Sequence, residues 1–557
     1  MPETITRAAS RVSPRLLPAA PGRVVSRSFL WLALAATSLT ALPQLARADN
    51  WDFKSGKYEI DLGFSAGAGV FGVPNAQFGA GSYDIRNYRD AVEGLRTNIG
   101  SSVKSPVYSD LYVKPEIRST YHINDTNALN ANVSAVFAQT LGDGDANLFS
   151  LTRGDPGNIG LEEAFVGYTG PTLFGLKGDN TVLKFGRQNF FLDDGFLLGD
   201  GNFDTGGKSN YYMAPRTSWD WSGTASFNYD PVRGDIFLLR NTVDNHLSYG
   251  RNDFAIDYPR TNLAGFDVEW FQNASHQGAD GASSYYDRAK YVNLTYFHIY
   301  DATENTTYPP NASIYDSRRN GENVVSIGIG GNLIPIPYLG IADNATLYGQ
   351  WVYEQNSGNQ NVDGVNYSQD VSAQAYYIEP GYTFSNLPLQ PHVYYRFSHF
   401  DGQKGSPDAE SRKTSFDSMF YSCCVRSPWG TYFAGEIIGQ YVQFNTNQNI
   451  NMFGATLNMP FHVLKDDDST KLDIIYYRFN YDHPEAAFAS DRHIGDEIDF
   501  AGTYNYDERT NLYGVFGMAT AGRGLEQSIN AQVNPFGNSS TFGHKMYVAE
   551  IFATRSF

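Results

Sequence analysis

Two tetrapeptides in this chain repeat the same four letters, Tyr394-Tyr395-Arg396-Phe397 and Tyr476-Tyr477-Arg478-Phe479. In an extended strand alternate side chains point to opposite faces, so the second Tyr and the Phe share one face, and the first Tyr and the Arg share the other. If the apolar face meets lipid, Tyr394, Arg396, Tyr476 and Arg478 face an aqueous interior. There a guanidinium grips carboxylates bidentately and a phenol stacks on or hydrogen-bonds a sugar. The bland alternative is that inward acids such as Glu379, Glu497 and Asp499 neutralise the two arginines, which then only stiffen the wall. Lys114, Glu116 and Arg118 form a third candidate group, on the polar parity of one segment with a net single positive charge. Arg187 is a fourth, but alternation from Leu183 and Phe185 places it with the apolar residues. A bulge at Gly186 is needed to turn it inward.

Other motifs carry less. Gly63-Phe64-Ser65-Ala66-Gly67 and Gly67-Ala68-Gly69-Val70-Phe71-Gly72 match a nucleophile elbow and a dinucleotide loop, yet Pro74 and a Gly/Asn-rich stretch follow where each needs a helix. Asp193-Asp194-Gly195 with Gly199 to Asp204 is an oxygen-dense loop that suits a structural Ca²⁺, although no Glu closes it in the EF-hand manner. The adjacent Cys423 and Cys424 can close only a strained ring and supply no disulfide framework. The ten His are scattered without a metal spacing. A hydrolase with a Ser/His pair on the wall stays open as a less favoured class, and no other cofactor is expected.

The elements that must position these residues read as strands. From Ser218 to Tyr229 the parities separate fully: Trp219, Trp221, Gly223, Ala225, Phe227 and Tyr229 on one face, with Ser, Asp, Thr and Asn on the other. An apolar outer wall, a polar inner wall and aromatics near both ends describe a strand that crosses a membrane as part of a barrel. The pattern recurs from Tyr58 to Ile498, which predicts an all-β, single transmembrane antiparallel barrel of about 18 strands (roughly 16 to 20) with long extracellular loops. The connection 189–215, rich in Gly and Asp and carrying Phe190, Phe191, Phe196 and Phe203, is predicted to fold inward and narrow the lumen.

Composition agrees: 557 residues hold 38 Tyr, 37 Phe and 54 Gly, and no stretch after the N-terminal region reaches the ~18–20 apolar residues of a membrane helix. Residues 1–48 read as a signal peptide, with arginines, an apolar run from Phe29 to Leu42 and Ala46-Arg47-Ala48 as cleavage site; residues 49–557 form one domain. Removing six Arg and one Glu with that peptide takes the net charge from −18 to −23, which argues against nucleic acid as a partner. The final residue, Phe557, reads as an assembly signal. The expected surroundings are the bacterial outer membrane, with its lipid, lipopolysaccharide and barrel-assembly machinery.

The segment Phe185-Gly186-Arg187-Gln188, with the Gly/Asp-rich stretch to Asp204, resembles the Gly-Arg-Gln signature of the alginate export family of outer-membrane barrels. Ser415-Phe416-Asp417-Ser418-Met419-Phe420, followed by Trp429-Gly430, resembles a second element of that family. The resemblance implies an 18-stranded channel with a basic constriction that exports an anionic polysaccharide, helped by periplasmic export partners. Carried over, Arg187, Arg396 and Arg478 are constriction cations, and Glu163 and Asp193 their partnering acids. A substrate-specific uptake porin for small organic solutes is the alternative within the same architecture.

Overall fold

The computed structural model describes residues 51–84, 102–150, 152–154, 157–171, 180–202, 209–210, 212–229, 231–241, 260–274, 288–303, 319–331, 344–362, 365–368, 370–404, 412–418, 435–442, 447–459, 462–465, 468–533 and 542–557. The signal peptide, Cys423, Cys424, Phe203 and Trp429 lie outside them.

Eighteen strands pair antiparallel, each with its sequence neighbours, and the last returns to the first. They are β1 (Tyr58–Gly72), β2 (Val107–His122), β3 (Ala128–Gly142), β4 (Gly157–Gly170), β5 (Asn180–Gln188), β6 (Trp219–Tyr229), β7 (Val232–Arg240), β8 (Arg260–Ala274) and β9 (Arg288–Thr303), then β10 (Asn323–Gly331), β11 (Ala345–Asn356), β12 (Val371–Thr383), β13 (His392–Phe400), β14 (Gln448–Met459), β15 (Ser469–Tyr481), β16 (His493–Asp507), β17 (Thr510–Ala521) and β18 (Lys545–Ser556). The seam pairs Val70 with Ile551, and the Phe557 amide donates to the Phe64 carbonyl at 2.7 Å. A short strand, Trp51–Ser55, turns back on Tyr58–Leu62 below the seam. Closure leaves no unpaired edge in the wall, the condition for a sheet to cross hydrocarbon.

Leu161, Val166, Ile236, Val268, Phe453 and Ile551 stand exposed on the outer face, with Trp221 and Tyr300 near one rim and Tyr229 and Trp270 near the other. Such a surface belongs in a bilayer flanked by aromatic girdles. The two ends differ. At one, connections run as short as 230–231 and 508–509; at the other they include 73–106, 189–218, 401–447 and 522–544. Asn124 Oδ1 holds the turn after β2 by accepting from the Thr126 and Asn127 amides, as an Asx turn does.

The core lies inside the barrel, in the half nearer the long connections. One continuous apolar cluster joins Phe71, Leu239, Phe297, Val352, Tyr377, Ile450, Phe479 and Val548 of the wall to Phe78, Leu192, Phe196, Phe416, Ile437 and Tyr441 of the loops. The inward anchoring of 189–218 follows its apolar content: Phe196 packs against Tyr377 and Phe400, ring centroids 5.3 and 5.7 Å away, on strands far round the barrel from its own stem. Phe190 meets Phe237 at 5.1 Å, whereas Phe191 stays exposed.

Candidate functional site

Toward the short-turn end the lumen is lined by the inner faces of β2, β3 and β4. Lys114 Nζ lies 3.1 Å from Glu163 Oε2, and Arg118 grips Glu116 with two bonds of 2.9 and 3.0 Å. Asn132 on the intervening strand donates to Glu116 at 2.7 Å and to Glu163 at 3.3 Å, so the pairs form one network. Alternation places Lys114, Glu116 and Arg118 one above another, and the Arg118 side chain is 60% exposed to the lumen. Glu163 enters through a bulge: Ser134 pairs with Glu163 but Ala135 with Leu161, so Glu162 and Glu163 both point inward. Glu162 accepts the amides of Thr217 and Ser218 at 2.9 Å each, fastening the end of the long loop to the wall. Two successive acids in an otherwise alternating strand were the visible sign of that bulge.

Higher in the lumen Arg396 is inward but not free to meet solute. It is 1% exposed, donates through Nε to Glu379 Oε2 at 2.7 Å, brings Nη2 to 2.6 Å from the same oxygen as an ion pair, and lies over the Tyr377 ring at 5.0 Å. Tyr394 shares that face, buried against Gly454. The neutralised alternative describes Arg396.

The second repeat faces the other way. Tyr477 and Phe479 are fully buried inside, while Tyr476 and Arg478 lie on the outer parity. Tyr476 donates to Asp496 at 2.6 Å, and Arg478 pairs in register with Asn451 and Asp496. The reversal has a packing cause. Loops fill the lumen beside β15, so its inner wall is apolar too, and hydrophobicity alone no longer marks the lipid face.

Arg187 also departs from expectation. A bulge does form, between Gly186 and Gln188, but the extra residue is on β6: Gly186 pairs with Ser222 and Gln188 with Trp219. It turns Trp219 inward, where its indole donates to the Phe190 carbonyl, and leaves Asp220 outside with Arg187 at 3.4 Å and Arg240 at 3.7 Å. Trp219 is therefore not on the lipid wall, and Arg187 is not in a constriction.

Asp193 does reach into the lumen, accepting from the Asn293 amide, and its carboxylate stands within 4.8 Å of those of Asp267 and Glu269. Arg233 and Asp235 are paired nearby at 3.0 Å. Three carboxylates so close suit a divalent cation, but the donors come from β8 and one loop residue rather than from the Gly/Asp stretch itself. Asp194 instead accepts from the Tyr377 hydroxyl and the Phe196 amide. His399, Asp401 and Asp482 make a second such group near the long-loop rim.

The segment around Phe416 anchors its loop to the wall. Arg319 holds Asp417 with bonds of 2.7 and 2.8 Å, and Lys413 adds a contact at 3.4 Å. Burial alone would raise the Asp417 carboxyl, but the two cations hold it well below the ordinary range.

No family model and no curated protein matches the sequence, so the resemblance to the alginate export family rests on its short motifs. Among solved structures the chain is similar to the outer membrane protein opdK from Pseudomonas aeruginosa (TM-score 0.44, 7% identity, 89% of this chain and 99% of that one). It is similar also to OpdQ of the same species (TM-score 0.44, 9% identity, 89% and 98%) and to an anion-selective porin from Comamonas acidovorans (TM-score 0.33, 10% identity, 90% and 100%). At these values the likeness adds nothing to what the strand pairing already establishes, a closed barrel of 18 antiparallel strands.

Proposed function

We propose that the chain is a channel of the bacterial outer membrane that admits small organic solutes selectively. It would reach that membrane after cleavage near Ala48 and insertion by the barrel-assembly machinery among lipid and lipopolysaccharide. The observation that carries the reading is the inner wall of β2 to β4, where Arg118 opens to water below a loop-narrowed lumen and Lys114, Glu116, Asn132 and Glu163 make a charge-matched, largely buried network behind it. A wall of paired charges offers donors and acceptors to a small polar solute without holding a polyanion along its length.

Export of an alginate-like acidic polysaccharide is the second reading, and it needs a run of uncompensated cations. It is the weaker, because Arg187 and Arg478 turn outward and Arg396 is matched by Glu379. Liposome swelling tests the choice. Purified protein should pass small sugars and organic acids at rates that fall steeply with solute size, and oligouronates should pass more slowly than neutral solutes of equal length. Faster passage of oligouronates, or strong block by them in planar bilayers, overturns the uptake reading and restores export.

A further inference from the structure

The connection between β13 and β14 sends a turn, Gly435–Tyr441, into the lumen, where it is seated on carboxylates. The Ile437 and Ile438 amides donate to the two oxygens of Glu497 at 2.7 and 2.8 Å, and the Glu436 amide donates to Asp499 at 3.1 Å. Gly435 has φ 78, and a Cβ there would come within 2.8 Å of a Glu497 oxygen, so the seat is shaped closely to the turn.

The Glu436 side chain is then delivered against more acid. It is fully buried, neither carboxylate oxygen has a hydrogen-bond donor among the described residues, and its carboxyl meets that of Glu550. Other groups face the turn from every side. β16 brings Glu497 and Asp499, and β18 brings Glu550, which accepts from the Tyr441 hydroxyl. β2 brings Tyr108, bonded to Tyr441 at 3.1 Å, with Asp110 behind it. β15 brings Tyr477, the long loop Tyr212, and the first loop Gln77, which donates to the Tyr441 carbonyl. β17 presents Val515, Gly517 and Ala519, none titratable. Among the described residues, Arg216 acts on Asp110, and Arg396 acts on Tyr477 and is already paired with Glu379.

Glu497 and Asp499, whose own carboxyls also meet, accept the amides of the turn. Glu436 and Glu550 face each other with one phenol between them, and two carboxyl groups in contact away from water hold together only when one carries a proton. We propose that Gly435–Tyr441 is a proton-held gate segment, seated in the lumen while Glu436 and Glu550 share a proton and released when the pair ionises. Burial, with Glu550, Asp499 and Glu497 facing it, raises the Glu436 carboxyl well above the ordinary carboxylate range, which favours the protonated, seated state. The sign follows from linkage. A group protonated more readily when seated stabilises the seat at low pH, and one linked proton shifts the seating equilibrium about tenfold per pH unit as pH rises.

The gate rests on the channel reading, and two readouts separate them. In protein carrying C423S and C424S, a nitroxide attached at Gln440→Cys reports the turn directly. Its immobile fraction should fall as pH is raised above the ordinary carboxylate range, and conductance in planar bilayers should rise over the same interval. Glu436→Gln and Glu550→Gln keep shape and hydrogen bonding but cannot ionise, so in each the label should stay immobile and conductance low throughout. Retained heat-modifiable migration shows that each variant is folded. A label immobile at every pH in the otherwise unaltered protein, or one freed equally in both Gln variants, overturns the gate. A label that moves as expected while conductance is nil at every pH upholds the proton-held seat and overturns the channel reading instead.

Discussion

Replacing Arg396 with Met should destabilise the barrel severely, whereas replacing Arg396 and Glu379 together should restore most of the loss. The pair is sealed: Arg396 is 1% exposed, Glu379 is 4% exposed, and one hydrogen bond of 2.7 Å and an ion-pair contact of 2.6 Å join them. Removing one partner of such a pair strands a charge away from water and costs about 3–5 kcal/mol. Replacing both by residues of similar shape is commonly neutral or stabilising by roughly 1–4 kcal/mol, because neither charge must then be desolvated. Urea unfolding of the refolded protein in detergent or thin-chain lipid, followed by tryptophan fluorescence, gives the three free energies of a double-mutant cycle. Arg396→Met and Glu379→Leu should each lose several kcal/mol, with a coupling energy approaching the larger single loss. If Arg396→Met costs under about 1 kcal/mol, or the double variant loses the sum of the singles, the pair is not sealed as described. Replacing Arg396 and Glu379 together with neutral residues should also leave charge selectivity unchanged, because the intact pair carries no net charge.

Lys114→Ser with Arg118→Ser should move the reversal potential in a salt gradient toward cations, and the shift should vanish near 1 M salt, where the screening length falls to about 3 Å. Deleting Phe557 removes the amide bond to Phe64 at the seam and a ring contact at 5.4 Å, so the yield of heat-modifiable barrel should drop in cells; an unchanged yield would sink the assembly role. Asp417, whose carboxyl is held below its ordinary range, contributes anchoring that is present above the unfolded value of about 3.9 and is lost only as pH falls through the lower folded value. Protease protection of residues 412–418 should therefore persist at pH ~4, and Asp417→Asn should abolish it at neutral pH.

The barrel was legible because its signal is one of alternation, and β2 shows how well that works: Leu111, Val113 and Ile117 are outside, Lys114, Glu116 and Arg118 inside. Orientation failed where both faces are apolar. In β15 the informative residues were Lys471 and Asp473, which share the parity of Tyr477 and Phe479; Asp473 is buried inside against Thr456 at 2.5 Å, so that parity had to face the lumen. In β13 the same test succeeds, because Ser398 keeps company with Tyr394 and Arg396. Bulges were the other obstacle. The one beside Gly186 was anticipated, but which strand carries the extra residue depends on the partner's register, and that decided the side for both Arg187 and Trp219. The seat beneath Gly435 was invisible for a plainer reason: its acids are separated from it by about a strand and a loop or more of chain, and only closure of the barrel brings them together.

The strut formed by Phe196 and Asp194 ties distant parts of the wall together across the interior. It leaves the wall between the fifth and sixth strands and docks on Tyr377 and Phe400 of the twelfth and thirteenth, and the Asp194–Tyr377 bond spans 183 residues of chain. Contacts so distant in sequence form slowly, because the loop-closure entropy is spent before the contact rewards it. The seam between Val70 and Ile551 is more distant still. A cylinder that zipped shut first would have to admit this strut through its mouth, whereas a half-made sheet can close around a strut already docked on its twelfth and thirteenth strands. A strut that spans the interior also sets how far apart those walls stand, and shortening it should slow closure of the tube before it changes anything that passes through it.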